Sequence, residues 1–215
     1  MQKTLVITGQ GNLKVTPDLV IISFPVECRH GSYAKAIDKL NVAVTQLRTA
    51  IESSGLDPME LKTTDFRVQT ETRWNKQSEK HEFDSFKARH DLKIELPMDA
   101  KLINNVIARL SCLGQNLDFR INFGVKDKES CLESLIQGAV SNAIKKAKII
   151  AAASGITLKD ILNINYSFKN IYFQSETSLE YQNDFVAEAQ YSMPEISPSD
   201  IELNEPITIT WSIES

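Results

Sequence analysis

Hydrophobic and polar positions along the chain alternate between two periods, and the switches between them mark out the elements. Thr4 to Gly9 is apolar and β-branched, and Leu19 to Val26 is a second apolar run that starts after Thr16-Pro17-Asp18; both read as strands. Gly9-Gln10-Gly11 between them reads as a turn. From Tyr33 the period lengthens: Tyr33, Ile37, Leu40, Val44, Leu47 and Ile51 form one stripe at steps of four and three, which predicts an amphipathic helix ending at Ser54-Gly55. Leu61 to Arg73, a charged turn over 75–82 and Phe83 to Leu96 predict a long hairpin stopped by Pro97. Asp99 caps a shorter helix with Leu102, Val106, Ile107 and Leu110 inward, and Leu117, Phe119, Ile121 and Phe123 alternate as a half-buried strand.

A third helix begins near Glu129 and carries Ala139, Ala143, Ala147 and Ala151 among larger residues, so its inner stripe is narrow enough for close backbone approach. It ends at Ser154-Gly155 and runs into a strand over Ile161 to Phe168. Lys169 to Pro206 shows no clear period and reads as one long loop, before Ile207, Ile209, Trp211 and Ile213 alternate in a last strand. Hairpins mixed with helices predict an α+β two-layer sandwich, with mainly antiparallel sheet and helices packed on one face. The repeated helix-Ser-Gly-strand plan fits two pseudo-related lobes or one pseudo-symmetric sheet. The chain reads as a single module over 1–215, with 59–126 as a candidate sub-lobe inserted between 1–58 and 127–215.

Composition is that of a globular protein: 215 residues, 42% hydrophobic and 24% charged. No apolar stretch approaches the ~20 residues of a spanning helix. Cys28, Cys112 and Cys131 are odd in number and widely spaced, which points to buried thiols and not to a disulfide framework. Charge does change the picture. Every Lys and Arg lies at or before Lys169, whereas nine acids follow it, so 1–169 carries +5 and 170–215 carries −9. No basic face for nucleic acid is expected; an acidic segment that can lie against a basic surface is.

Recognisable catalytic chemistry is sparse. Gly9-Gln10-Gly11 has neither a third glycine nor Gly-Lys-Ser/Thr, and no helix follows it directly, so it does not make a phosphate loop. Cys28 and His30 share a face without a third ligand nearby, and His81 and His90 lie beside Glu82 and Asp91 in the hairpin. No nucleophile elbow, His-Glu-x-x-His helix or paired acidic metal motif occurs. The candidates that remain are interaction surfaces. Lys145, Lys146 and Lys148 form a small basic face on the third helix; Arg73 and Trp74 place an aromatic among cations; and Glu176, Glu180 and Asp184 represent the acidic segment.

Ile7-Thr8-Gly9-Gln10-Gly11, Thr16-Pro17-Asp18, Ala36 with Asn41, Gly55 and Lys62-Thr63-Thr64 form the first half of a longer pattern. Ala139-Val140, Ala143, Lys146-Ala147, Ala151, Gly155 and the closing Ile207-Thr208-Ile209-Thr210-Trp211 complete it. In this order and spacing the chain resembles the SIMPL-domain family, which includes bacterial periplasmic immunogenic proteins and has no established biochemical function. The resemblance implies an α+β domain with no agreed catalytic set and loose links to stress and envelope biology; no cofactor is expected. Some bacterial relatives look like builders of closed homo-oligomers.

The expectation is therefore a non-enzymatic binding or assembly module, homo-oligomeric through strand edges or the Ala-rich helix. The other reading is a small-ligand binder or enzyme with a pocket under 169–206, drawing on Arg89, His90 or Tyr191. Without a leader the expected location is cytoplasmic; with one removed it is periplasmic.

Overall fold

The computed structural model describes residues 3–111, 113, 118–167, 171–181 and 196–214. They form an α+β protein of two sheets. In chain order the elements are β1 (Thr4–Val15), β2 (Leu19–His30), α1 (Tyr33–Ser53), β3 (Lys62–Asn75), β4 (Lys80–Pro97), α2 (Ala100–Ser111), β5 (Phe119–Gly124), α3 (Lys128–Ser154), β6 (Thr157–Asn165), β7 (Gln174–Tyr181) and β8 (Ile201–Glu214). The chain divides into two compact units, one made of 1–17, 124–176 and 198–215, the other of 18–123 and 177–197. The segment 59–126 falls almost wholly within the second unit, which also takes in β2 and α1.

In the first unit the sheet order is β1-β8-β6, with β8 antiparallel to both neighbours. α3 covers one face. Gly9 and Gly11 are not a turn: β1 runs straight through them. A Cβ at Gly9 would stand 2.1 Å from the Ala139 carbonyl oxygen, and one at Gly11 1.9 Å from that of Leu135. Both distances are far inside contact range. The two glycines are therefore the floor on which α3 rests, and Ala139, Ala143 and Ala147 are fully buried against this sheet with Ile7, Ile207, Ile209 and Trp211. The cost of glycine in a strand is offset by bringing a helix backbone against a strand backbone. Asp127 caps α3 through the Ser130 N–H at 3.0 Å, and Gly155 at φ 67° closes it.

A further expectation is corrected here. The stretch 169–206 is not all loop, because β7 occupies 174–181 and β8 begins at Ile201. Ile171, Phe173, Ser175, Thr177, Leu179 and Tyr181 all lie on the less exposed side; small hydroxyl residues at two of these positions hide the alternation. Pro206 sits inside β8 opposite Gln10, whose N–H points away from β8 to Asn142. The missing N–H of Pro206 therefore faces the β6 side, where pairing begins only at Thr208.

The second unit has the order β3-β4-β2-β5-β7. α1 and α2 pack on one face around Phe24, Leu40, Leu47, Ile51, Leu92 and Val106, all nearly inaccessible, and Gly55 at φ 84° closes α1. The opposite face is a lattice of charges. Glu27 receives Lys87 and Arg89 at 2.8 Å each, Arg89 also holds Asp91 at 2.8 Å, and Arg29 binds Glu71 at 2.8 Å. Partial burial pushes the Glu27 carboxyl up, but the hydrogen bonds and charges of Lys87 and Arg89 outweigh it and hold the group below its ordinary range.

The two units share a plan. β2-α1-β3-β4 folds with the last strand between the first two, and β1-α3-β6-β8 does the same, with the whole run from β2 to β5 intervening between β1 and α3. In both, the strand that follows the helix lies at a sheet edge and carries register shifts.

Two outcomes follow from this packing. Gly9→Ala and Gly11→Ala should each lower the unfolding free energy by about 2–3 kcal/mol in urea titration, because α3 must lift. Gly138→Ala faces only the Gly11 Cα at 3.5 Å, so it should be neutral or stabilise by up to about 1 kcal/mol. The lattice sets the acid limb. Since the folded Glu27 value is depressed, its contribution is complete above the unfolded carboxylate value of 4.5 and is lost as pH falls through the folded one. Glu27→Gln should cost about 1 kcal/mol at neutral pH, and thermal melts should show a flatter decline of stability on acidification.

Candidate functional site

α3 does not lie centrally on its sheet. It packs chiefly on β1, less on β8 and little on β6. On the β1 side it reaches over the edge: Asn142 Oδ1 accepts from the Gln10 N–H at 3.1 Å, and Lys146 Nζ donates to the Thr8 carbonyl at 3.2 Å. These are outward-pointing backbone groups, the ones an added strand would use. Side chains of the helix already occupy them.

Among the described residues, β6 has no such cover. Ile161 and Ile164 pair with Trp211 and Ile209, so both lie on the face that carries α3, yet they are 49% and 53% exposed. Leu162 between them is 45% exposed. Register shifts between Leu158 and Ile161 and between Ile161 and Asn163 explain how two isoleucines three apart share one face. The result is an apolar edge strand with an open backbone, beside a helix that leaves that side of the sheet bare.

The residues singled out by sequence are distributed as follows. Lys145 and Lys148 are exposed on α3, while Lys146 is the edge clamp just described. The Ala-rich stripe lies against its own sheet and is closed to a partner. Arg73 and Trp74 stand on β3 in the part of the hairpin that extends past the end of β2; Trp74 is 52% exposed and meets His81 edge-on at 5.1 Å. Glu176 and Glu180 are on β7, not in a loop, and Glu180 is paired with Arg120. Asp184 and Tyr191 lie outside the described residues. Among the described residues, no hydrogen bond or ion pair joins one of these candidates to another.

Arg89 and His90 do not converge either. Neighbours on β4, they point to opposite faces: Arg89 joins the charge lattice, and His90 Nε2 bonds the Thr63 hydroxyl at 2.8 Å. Burial, then the charge of Arg48, lowers the His90 pKa. Cys28 is pushed up by burial, against Lys39. The His30 Nδ1 accepts from the Ser32 N–H at 2.9 Å, which closes the turn into α1. Among the described residues no three His, Cys, Asp or Glu side chains gather as a metal would require. In the first unit Glu205 is 1% exposed opposite Gly11, and burial together with the Glu205 charge raises the Tyr166 phenol. What sequence reasoning missed is the bare β6 edge. The signal was the Ile-Leu-Asn-Ile-Asn run, but only the lean of α3 shows that it stays uncovered.

The family model described as SIMPL, protein of unknown function (DUF541), matches residues 5–211. The chain is 22% identical over 175 residues to the uncharacterized protein YggE of Edwardsiella ictaluri, a match covering 81% of this chain and 72% of that protein. It is 23% identical over 164 residues to the 26 kDa periplasmic immunogenic protein of Brucella melitensis, covering 75% and 65%, and the same figures hold for the protein of that name in Brucella abortus. The match thus spans a little under two thirds of the Brucella proteins. With nearly its whole length matched in this way, the chain belongs to the SIMPL family of proteins of unknown function.

Proposed function

We propose that this chain is a non-catalytic assembly module that pairs with a second copy of itself along β6. The observation that carries the reading is the contrast between the two edges of one sheet: at the middle of β1 the Gln10 N–H and the Thr8 carbonyl are taken by Asn142 and Lys146, while β6 presents exposed Ile161, Leu162 and Ile164. An apolar edge with unused backbone groups is a template for another strand. A second copy is a chemically suitable one. Antiparallel pairing about a twofold axis centred between Leu162 and Asn163 sets Ile161 opposite the partner's Ile164 and Asp160 opposite the partner's Asn165. Isoleucines then stack on one face, and no like charges meet.

The exposed Lys145 and Lys148 on α3 supply peripheral charge for such contacts. The Brucella relatives are named as periplasmic, and an exported location with a role in the cell envelope fits that likeness. No helix among the described residues is long and apolar enough to cross a membrane.

Sedimentation velocity at micromolar concentration should give at least twice the mass of one chain. Replacing both Ile161 and Ile164 by Lys should weaken association at least about a hundredfold, since central apolar anchors dominate such interfaces, while the circular dichroism spectrum stays unchanged. A wild-type mass of one chain, or a double variant that still associates, would remove the proposal.

A further inference from the structure

Between α1 and α2 the second unit holds an open groove of about 340 Å³, within the lower part of the ligand-pocket range of about 300–1,000 Å³. Its apolar part is formed by Ala50 and Leu113. Along the α1 wall stand Thr45, Thr49 and Ser53, and each turns its hydroxyl proton back on its own helix, to the carbonyls of Asn41, Thr45 and Thr49 at 2.8, 3.1 and 2.7 Å. None of these protons is left for a ligand. The donors that remain in the lining are the Gln46 amide and, from the last turn of α2, the Arg109 guanidinium.

Five of the seven arginines are engaged, and only Arg73, out on the β3–β4 hairpin, shares the open state of Arg109 among the described residues. Arg29, Arg67, Arg89 and Arg120 hold carboxylates, and Arg48 holds the Pro58 carbonyl at 2.7 Å. Arg109 has no hydrogen bond or ion pair among the described residues. A cationic fork in the lining of a groove whose open surface is mostly apolar, with the nearby hydroxyl protons already committed, selects a ligand with one anionic head and an aliphatic body. We infer that this groove binds a small free monocarboxylate with a short alkyl chain, its carboxylate on Arg109 and its chain along Thr45, Thr49 and Ala50. The inference is independent of pairing through β6, which involves the other unit.

Titrating the isotope-labelled chain with sodium hexanoate tests it, with hexan-1-ol and hexylammonium as probes of the same body without the anion. Saturable amide shifts confined to residues 45–53 and 109–113 are expected with hexanoate at millimolar concentration, and none with hexylammonium. Arg109→Gln should weaken binding about tenfold, with Arg109→Lys in between. Thr49→Phe, placed on the exposed helix surface to fill the groove, should abolish it. Equal response to all three probes, shifts spread over the molecule, no saturation, or an affinity unchanged by Arg109→Gln would each overturn the assignment.

Discussion

A helix backbone lying directly on a strand backbone is the contact on which the first unit depends. Gly9 and Gly11 remove the side chains that would hold α3 away from the middle of β1, and Ala139, Ala143 and Ala147 keep the helix side small. Ordinary helix-on-sheet packing is spaced by large side chains; here the separation is set by main-chain atoms and hydrogens. Dispersion contacts at that range are numerous and intolerant of added volume. The same closeness lets side chains as short as Asn142 reach the outer edge of β1, so the packing of the face and the protection of the edge have one cause.

That cause also explains what is left open. A helix drawn towards the first strand of a β-α-β-β set covers the central strand partly and the remaining strand hardly at all. The second unit repeats the arrangement with larger inner residues on α1, and its corresponding strand, β3, is exposed along most of its length, with Phe66 and Trp74 half accessible. Bare third strands are therefore a property of the repeated plan. The two differ in chemistry: β3 carries charges that blunt it as a template, whereas the second half of β6 carries isoleucine and asparagine.

Much of this plan is legible in the chain itself, for local reasons. Gly55 and Gly155 mark helix ends because the left-handed backbone they adopt is hard for other residues, and both stand at positive φ. The stripes of α1 and α2 follow from period alone. Gly9-Gln10-Gly11 was misleading because its role is set by residues about 130 positions away, and nothing beside it distinguishes a turn from a floor. β7 was hidden because Ser175 and Thr177 take inward positions that apolar residues usually signal. The candidate surfaces were less legible still. Lys146 looks like a free cation in sequence and is an edge clamp in the fold, while Arg109 gives no sign that it lines a groove. Exposure of an edge depends on where a helix leans, and no short window contains that information.

The clamp formed by Asn142 and Lys146 also bears on stoichiometry. Strand addition propagates without limit when both sides of a sheet accept a neighbour, which is the route to fibres. A sheet already terminated on one side accepts a neighbour only on the other. If two copies meet there, each brings its own stopped end outward, and growth of this sheet halts after a single step. On that pairing, the reach of two side chains on α3, Asn142 and Lys146, would limit this sheet to two copies.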